Sequence, residues 1–484
     1  MTNIIIASLS FILGIFPLWM MLRWEGERGA VITRFTSLYF TVQHIVFGFG
    51  VLLLAVCDDN DSYLTANGYV PYASGLARLA LINLVSLYAG LAGMALVCFG
   101  GKERNNISRR PSIIGGDMFS KIKNVGPDEQ LLRRVCYVSI IFHVFILALQ
   151  WNIGFNVGGN WLRYIVQVGA KVTPATFFFM GLLWVHSRAD RWPLALYLVV
   201  YGSMQLATGG RAPILYGIIL FFTGIAVLSP TWFLRPRRLL ALLCLGGLLP
   251  WLSVRSEDLR LLYQSREPAN AADLGERLVK LLGGSDTGVG QSDSASVEQK
   301  SGRTLFRFGG RLTELAALDV VARTPEDFPF WGWSLSDSIS VGTGWLPAAI
   351  FPDLPKDDLS GVLFLRLYGW AIDPENGHSM PITMLGDSWR RFGWTGVGVA
   401  HFILGLILTK TSMLLRRAYG LKGIALIGAL YFVILFSYTD DIVTFITAMP
   451  RRIIAALLYM MFMSVVTFIW RSQMPRLSVG GRAA

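Results

Sequence analysis

The sequence predicts an all-α polytopic membrane protein with about eleven transmembrane helices and one large extracytoplasmic loop. Three observations predict it. The 484 residues are 53% hydrophobic and only 15% charged, with a mean hydropathy of +0.51. The apolar residues fall into separated runs near the ~20 residues that carry a helix across ~30 Å of hydrocarbon. Lys and Arg are distributed unevenly between alternate connections. In lipid the backbone must satisfy its own hydrogen bonds, so runs of this length are read as helices.

Taken in order, the runs are 3–22, 35–56, 79–99, 135–151, 164–185, 193–208, 212–229, 239–254, 393–415, 423–438 and 453–470. Run 3–22 lacks a basic leader and a clear small-residue cleavage site, so it is read as a retained first span. The connections 23–34, 100–134, 186–192, 230–238 and 416–422, with the tail after 470, hold 22 basic residues; the short alternate connections hold 5. By the positive-inside rule the N-terminus is outside, the C-terminus inside, and the loop 255–392 outside. That loop carries a net charge of −5 while the rest carries +17. The overall +12 is therefore a topology signal, and a nucleic-acid partner is not expected. The connection 100–134 is expected to lie against anionic lipid headgroups or simply to set orientation.

Three parts follow: helices in 1–254, the loop 255–392, and helices plus a short tail in 393–484. Within the loop, 257–282 and 303–323 look helical, and 283–302 reads as a flexible tether rich in Gly and Ser. Residues 326–376 read as irregular structure packed over the membrane face, with tryptophans suited to the interface. Cys57, Cys98, Cys136 and Cys244 have neither disulfide nor metal-site spacing and read as small hydrophobes.

Several constellations could carry chemistry. Arg211 follows Gly209-Gly210 and precedes Pro213 at the outer start of a span, where free backbone N–H groups and a guanidinium suit an anion. The competing reading is an interface anchor. Arg303, Arg307 and Arg311 are spaced four apart and would form one helix stripe continued by Glu314; an ordinary salt-bridged amphipathic helix explains them as well. Lys171, near the outer end of its run, faces either a cavity or the headgroups by snorkelling. Lys410 snorkels to the inner side. Asp440 and Asp441 either cap a helix or pair with Arg451 and Arg452. His378 is the single histidine of the long loop. Ser379 could cap a helix beginning at Met380 with Pro381 in its first turn. Ile382, Leu385, Trp389 and Phe392 would then share one face, and Asp387 and Arg391 would pair at i, i+4, beside Arg390. A histidine at such a helix entry would be held neutral, as a general base requires; the alternative is a surface histidine beside a turn.

Three features of this arrangement resemble the bacterial Wzy-type oligosaccharide repeat-unit polymerases and the related O-antigen ligases. Leu206-Ala-Thr-Gly-Gly-Arg-Ala-Pro-Ile-Leu215 looks like their small-residue–Arg motif opening a span. A large outer loop precedes the last spans. It ends in a Pro, then Gly386-Asp387, then Phe392-Gly393-Trp394-Thr395-Gly396 entering a span, similar to the polymerases; Gly377-His378-Ser379 fits the ligases' His-Ser/Asn pair. The resemblance implies a GT-C-like polymerase in the bacterial inner membrane, acting on undecaprenyl-diphosphate-linked oligosaccharide at the periplasmic face for O-antigen, exopolysaccharide or capsule. It implies membrane lipids and a chain-length regulator as partners. It implies His378 as proton acceptor and Arg211 and Arg311 as diphosphate ligands; beside it, Asp387 or Glu314 is read as an alternative acceptor, and Arg307, Arg303, Lys171, Arg390 and Arg391 as further cations for the diphosphate. No Asp-rich metal motif is present, so metal-independent chemistry without a cofactor is expected. The alternatives are a ligase passing finished polymer to lipid A core, and a flippase for lipid-linked sugars, which would place charges at several mid-span positions.

Overall fold

The structure, a computed structural model, describes residues 2–27, 33–56, 76–100, 129–153, 169–170, 172–207, 211–229, 318, 321–322, 332–343, 346, 383–415, 421–436 and 441–473. The described helices are α1 (Thr2–Glu27), α2 (Phe35–Val56), α3 (Leu76–Gly100), α4 (Glu129–Ile153), α5 (Ala175–His186), α6 (Arg191–Ala207), α7 (Arg211–Leu228), α8 (Leu335–Thr343), α9 (Met384–Leu415), α10 (Leu421–Phe436) and α11 (Ile442–Gln473). There is no strand among the described residues. Among the described residues six helices are long and apolar enough to cross a membrane, and three shorter ones are also apolar. Large apolar side chains remain outward along them, such as Leu9, Ile12, Phe16 and Trp19 on α1 and Ile403 and Ile407 on α9. A water-facing surface would not carry so much of it, whereas a lipid-facing one should. This is a multi-pass membrane bundle.

Close packing comes from small residues, as expected where lipid removes the hydrophobic drive between helices. On α3 and α9 the backbones touch: a Cβ on Gly93 would strike the Phe402 carbonyl, and one on Gly405 the Gly90 carbonyl. The same device joins α5 to α7, where Gly181 faces the Phe221 carbonyl and Gly224 the Phe178 carbonyl.

Several boundaries differ from the sequence reading. The run 164–185 is not one continuous helix. A turn at Val172–Pro174 precedes α5, with Ala175 N bonded to Val172 O at 3.0 Å. Pro174 lacks the N–H that a continuous helix would need and biases Thr173 away from helical geometry. The last span starts at Ile442 rather than 453 and keeps Pro450 inside. Its N-terminus is capped by Asp441, whose Oδ1 accepts from Thr444 N at 2.9 Å. Residues 335–343, expected to be irregular, form a helix. The run 239–254 and the tether 283–302 lie outside the described residues.

Polar contacts tie the helix ends to one another. Thr33, before α2, donates to Ser412 O near the end of α9 at 2.9 Å. Arg133 at the start of α4 pairs with Asp190 between α5 and α6 at 2.8 Å. Arg78, opening α3, donates to Ala322 O at 2.6 Å.

Candidate functional site

The densest charge cluster is built by the first turns of α9. Thr383 precedes the helix with a positive φ of 35°, and its hydroxyl accepts from Gly386 N at 3.1 Å. The cap is therefore Thr383, and the helix begins at Met384 instead of Met380 with Ser379 as cap. Positions 387, 390 and 391 then fall at i, i+3 and i+4 on one face.

Asp387 is fully buried. Its Oδ1 accepts from Arg390 Nη2 at 2.6 Å and from Arg391 Nε at 3.0 Å. Its Oδ2 accepts from Arg391 Nε at 2.9 Å and from the backbone N–H of Ile442, the first residue of α11, at 3.0 Å. Arg391 reaches a second carboxylate, donating to Asp337 of α8 through Nη1 at 2.7 Å and Nη2 at 3.1 Å. It also donates to Gly332 O at 3.2 Å, and its guanidinium lies 5.5 Å from the Trp333 ring centroid. Both arginines are 4% exposed. Charged groups this deep persist only when paired and hydrogen-bonded, and here two carboxylates balance two guanidiniums.

Asp337 is itself fixed. Ser334 caps α8 by accepting from Asp337 N at 3.0 Å, while Asp337 Oδ2 accepts from Ser334 N at 2.7 Å. This is a capping box with Asp in place of Glu. Burial pushes the Asp337 carboxyl up, but the Arg391 and Ser334 donors outweigh it and hold the group below the usual carboxylate range.

The Phe392-Gly393-Trp394-Thr395-Gly396 stretch explains how this entry segment sits on the span. Gly393 takes φ 58° and ψ −141°, breaking α9 into an entry piece and a long piece. A side chain at that φ would be strained. Gly396 lets the two pieces approach, since a Cβ there would meet the Ser388 carbonyl. Across the bend Trp389 and Trp394 pack edge-on with centroids 4.7 Å apart. The span boundary expected at 393 thus coincides with the bend. Leu385 and Trp389 are buried as expected, but Phe392 is 44% exposed because the bend turns it outward.

The structure brings together three of the sequence-predicted residues: Asp387, Arg390 and Arg391. Asp387, expected as one possible base, has both oxygens committed to guanidiniums and an amide. The two arginines are neutralised in the same cluster. Arg211 opens α7 as expected, with Pro213 in its first turn; its side chain lies outside the described part, as do His378, Glu314, Arg303, Arg307, Arg311 and Lys171. Asp337 and Trp333 were missed. The Ser334-x-x-Asp337 spacing was the available signal for the helix, but nothing local to it points to Arg391, which lies 54 positions away.

The opposite end of α9 holds a second buried polar cluster, which the sequence presented only as a basic connection. Glu25 is 2% exposed and accepts from Thr36 N at 3.0 Å, Ser37 N at 3.2 Å, Ser37 Oγ at 2.5 Å and Ser412 Oγ at 3.2 Å. Thr36 and Thr409 hydroxyls meet at 2.9 Å. Among the described residues no group of His, Cys, Asp and Glu is arranged to hold a metal ion. Comparison with protein-family models, with curated proteins and with solved structures gives no match.

Proposed function

We propose that this protein is a metal-independent glycosyltransferase that polymerises undecaprenyl-diphosphate-linked oligosaccharide repeat units on the outer face of a bacterial inner membrane, within a bundle of about eleven spans. The observation that carries the reading is the fixed charge cluster at the Gly393–Gly396 bend. Its Asp387, Arg390 and Arg391 lie within the residues 380–397 that bear the likeness to the polymerases, and the cluster gives that motif a physical purpose: anchoring the end of the outer loop against α8 and α11.

In the reaction, an acceptor sugar hydroxyl oxygen bonds to the anomeric carbon of the donor chain. The carbon–oxygen bond to the diphosphate breaks, and undecaprenyl diphosphate leaves with the electron pair. The acceptor proton goes to His378 or Glu314; Asp387 is assigned to holding Arg390 and Arg391. Arg211, Arg303, Arg307, Arg311 and Lys171 would offset the leaving group's charge, the type of preorganised stabilisation that dominates such transfers. Position, more than new covalent chemistry, is what the protein must supply, because the sugar–phosphate bond is already activated.

A transporter is disfavoured by where buried charge sits. Glu25, Arg34, Asp190, Asp387, Arg390, Arg391 and Asp441 lie at or near helix ends, while deeper buried groups such as Gln43, His44, Asn83, His143 and His401 are amides and imidazoles. The test is lipid-linked glycan length in cells carrying Arg211→Ala or His378→Ala. Each variant should insert normally and leave single repeat units. Undiminished polymer length would remove that residue from the mechanism, and accumulation of long lipid-linked polymer would favour the ligase.

A further inference from the structure

The short helix α8 has its polarity turned inside out. Its exposed stripe is Leu335, Ser338, Ile339 and Gly342, preceded by Trp333; Leu335 is 78% exposed, Trp333 43% and Ile339 42%. Its charge points inward, Asp337 being paired with the buried Arg391 at 2.7 Å, and Ser340 is buried beside it. A helix facing water shows the reverse arrangement, apolar inside and polar outside.

The polar side chains described near the exposed stripe are also tied up locally. Ser338 Oγ accepts from Trp333 Nε1 at 2.9 Å and donates to Ser334 O at 3.4 Å. Ser334 Oγ donates to Asp337 at 2.7 Å, and Thr343 Oγ1 donates to Ile339 O at 2.8 Å. Internal satisfaction of this kind is what a low-dielectric surrounding demands.

The helix is also tied to one whose outward apolar face is assigned to lipid. Gly332 N donates to Arg391 O at 3.1 Å, so α8 is pinned to the entry piece of α9. Phe392 and Trp394, 44% and 45% exposed at the bend, lead into Val399, Ile403 and Ile407 on the long piece. Tryptophans at 333 and 394 have the apolar body and polar tip that settle at a membrane–water boundary.

We infer that α8 is a membrane-embedded interfacial helix, with Trp333, Leu335 and Ile339 inserted among the lipids of the leaflet where α9 and α11 begin, which the charge count makes the outer one. Its occupant is bilayer, not a protein partner. The Asp337–Arg391 pair then holds a lipid-inserted helix onto the bundle from behind. This assignment is independent of the catalytic reading.

The experiment uses the full chain in nanodiscs, with Cys57 and Cys244 replaced by Ala and the buried Cys98 and Cys136 retained. Leu335→Cys and Ile339→Cys are labelled with a fluorophore. Ile403→Cys serves as a lipid reference and Glu129→Cys as an aqueous one. Quenching by a shallow nitroxide-bearing phospholipid should exceed quenching by iodide severalfold at 335 and 339, as at 403, with Glu129→Cys showing the opposite order. Stronger iodide quenching at 335 and 339 would overturn the assignment. So would protection from both quenchers, which would mean that protein covers the stripe.

Discussion

The two ends of α9 are both buried and polar, yet they are held by different chemistry. At its start, Asp387 binds two guanidiniums, and Arg391 carries the connection on to Asp337. At its end, Thr409 and Ser412 make hydroxyl and backbone bonds to Thr36, Thr33 and Phe35, with Glu25 as the shared acceptor. The first is a closed set of opposite charges; the second is mostly neutral groups around one carboxylate. A charged cluster is specific because each member is intolerable without its partner. A hydroxyl cluster loses its members one at a time, each at modest cost. The difference suits an entry segment that must be fixed in one geometry and a far end that only has to be joined to its neighbours.

That contrast can be broken most sharply at Asp387. Asp387→Ala strands two buried guanidiniums, and removing one partner of such a set costs ~3–5 kcal/mol. Detergent-solubilised protein should show a large drop in unfolding midpoint; a change no greater than at Ser412 would erase the distinction between the ends. Gly405→Ala, in the piece of α9 common to both, forces a methyl into the Gly90 backbone. It should destabilise by about 2–3 kcal/mol, as overpacking does, and weaken both ends equally. Ser412→Ala removes one hydroxyl from the cluster at the other end and should cost about 1–2 kcal/mol in the same melt.

The smallest effect is a pH dependence confined to the charged end. Asp337 has its folded pKa depressed, so it binds a proton less readily folded than unfolded. Its contribution is complete above the unfolded value near roughly pH 4 and fades as pH falls through the lower folded value. Asp337→Asn should flatten the acid limb of the stability curve, measured by unfolding between neutral and acidic pH, and leave the hydroxyl cluster's response unchanged. An acid limb identical to the parent's would show that Asp337 stabilises nothing through its charge.

Much of this architecture was readable from residues alone. Runs of apolar side chains define helices because lipid offers the backbone no partner. The i, i+4 pairing of Asp387 with Arg391 was legible because helical geometry makes it local. The bend at Gly393 was not legible. The failures were of two kinds. Boundaries slipped where a turn depends on backbone geometry, as at Thr383 and at Val172–Pro174. The helix 335–343 was overlooked because its outward stripe mixes Leu335 and Ile339 with Ser338 and Gly342, so no amphipathic pattern marks it.

The chain by itself determined that it crosses a membrane through helices. What only tertiary structure decided is which distant groups became neighbours: Arg391 with Asp337, Asp387 with the start of α11, Glu25 with Ser412. Periodicity and charge act over a few residues and are written in order along the sequence. The partner of a buried charge is set by how helices cross, and helix crossing depends on side-chain shapes contributed from several places at once.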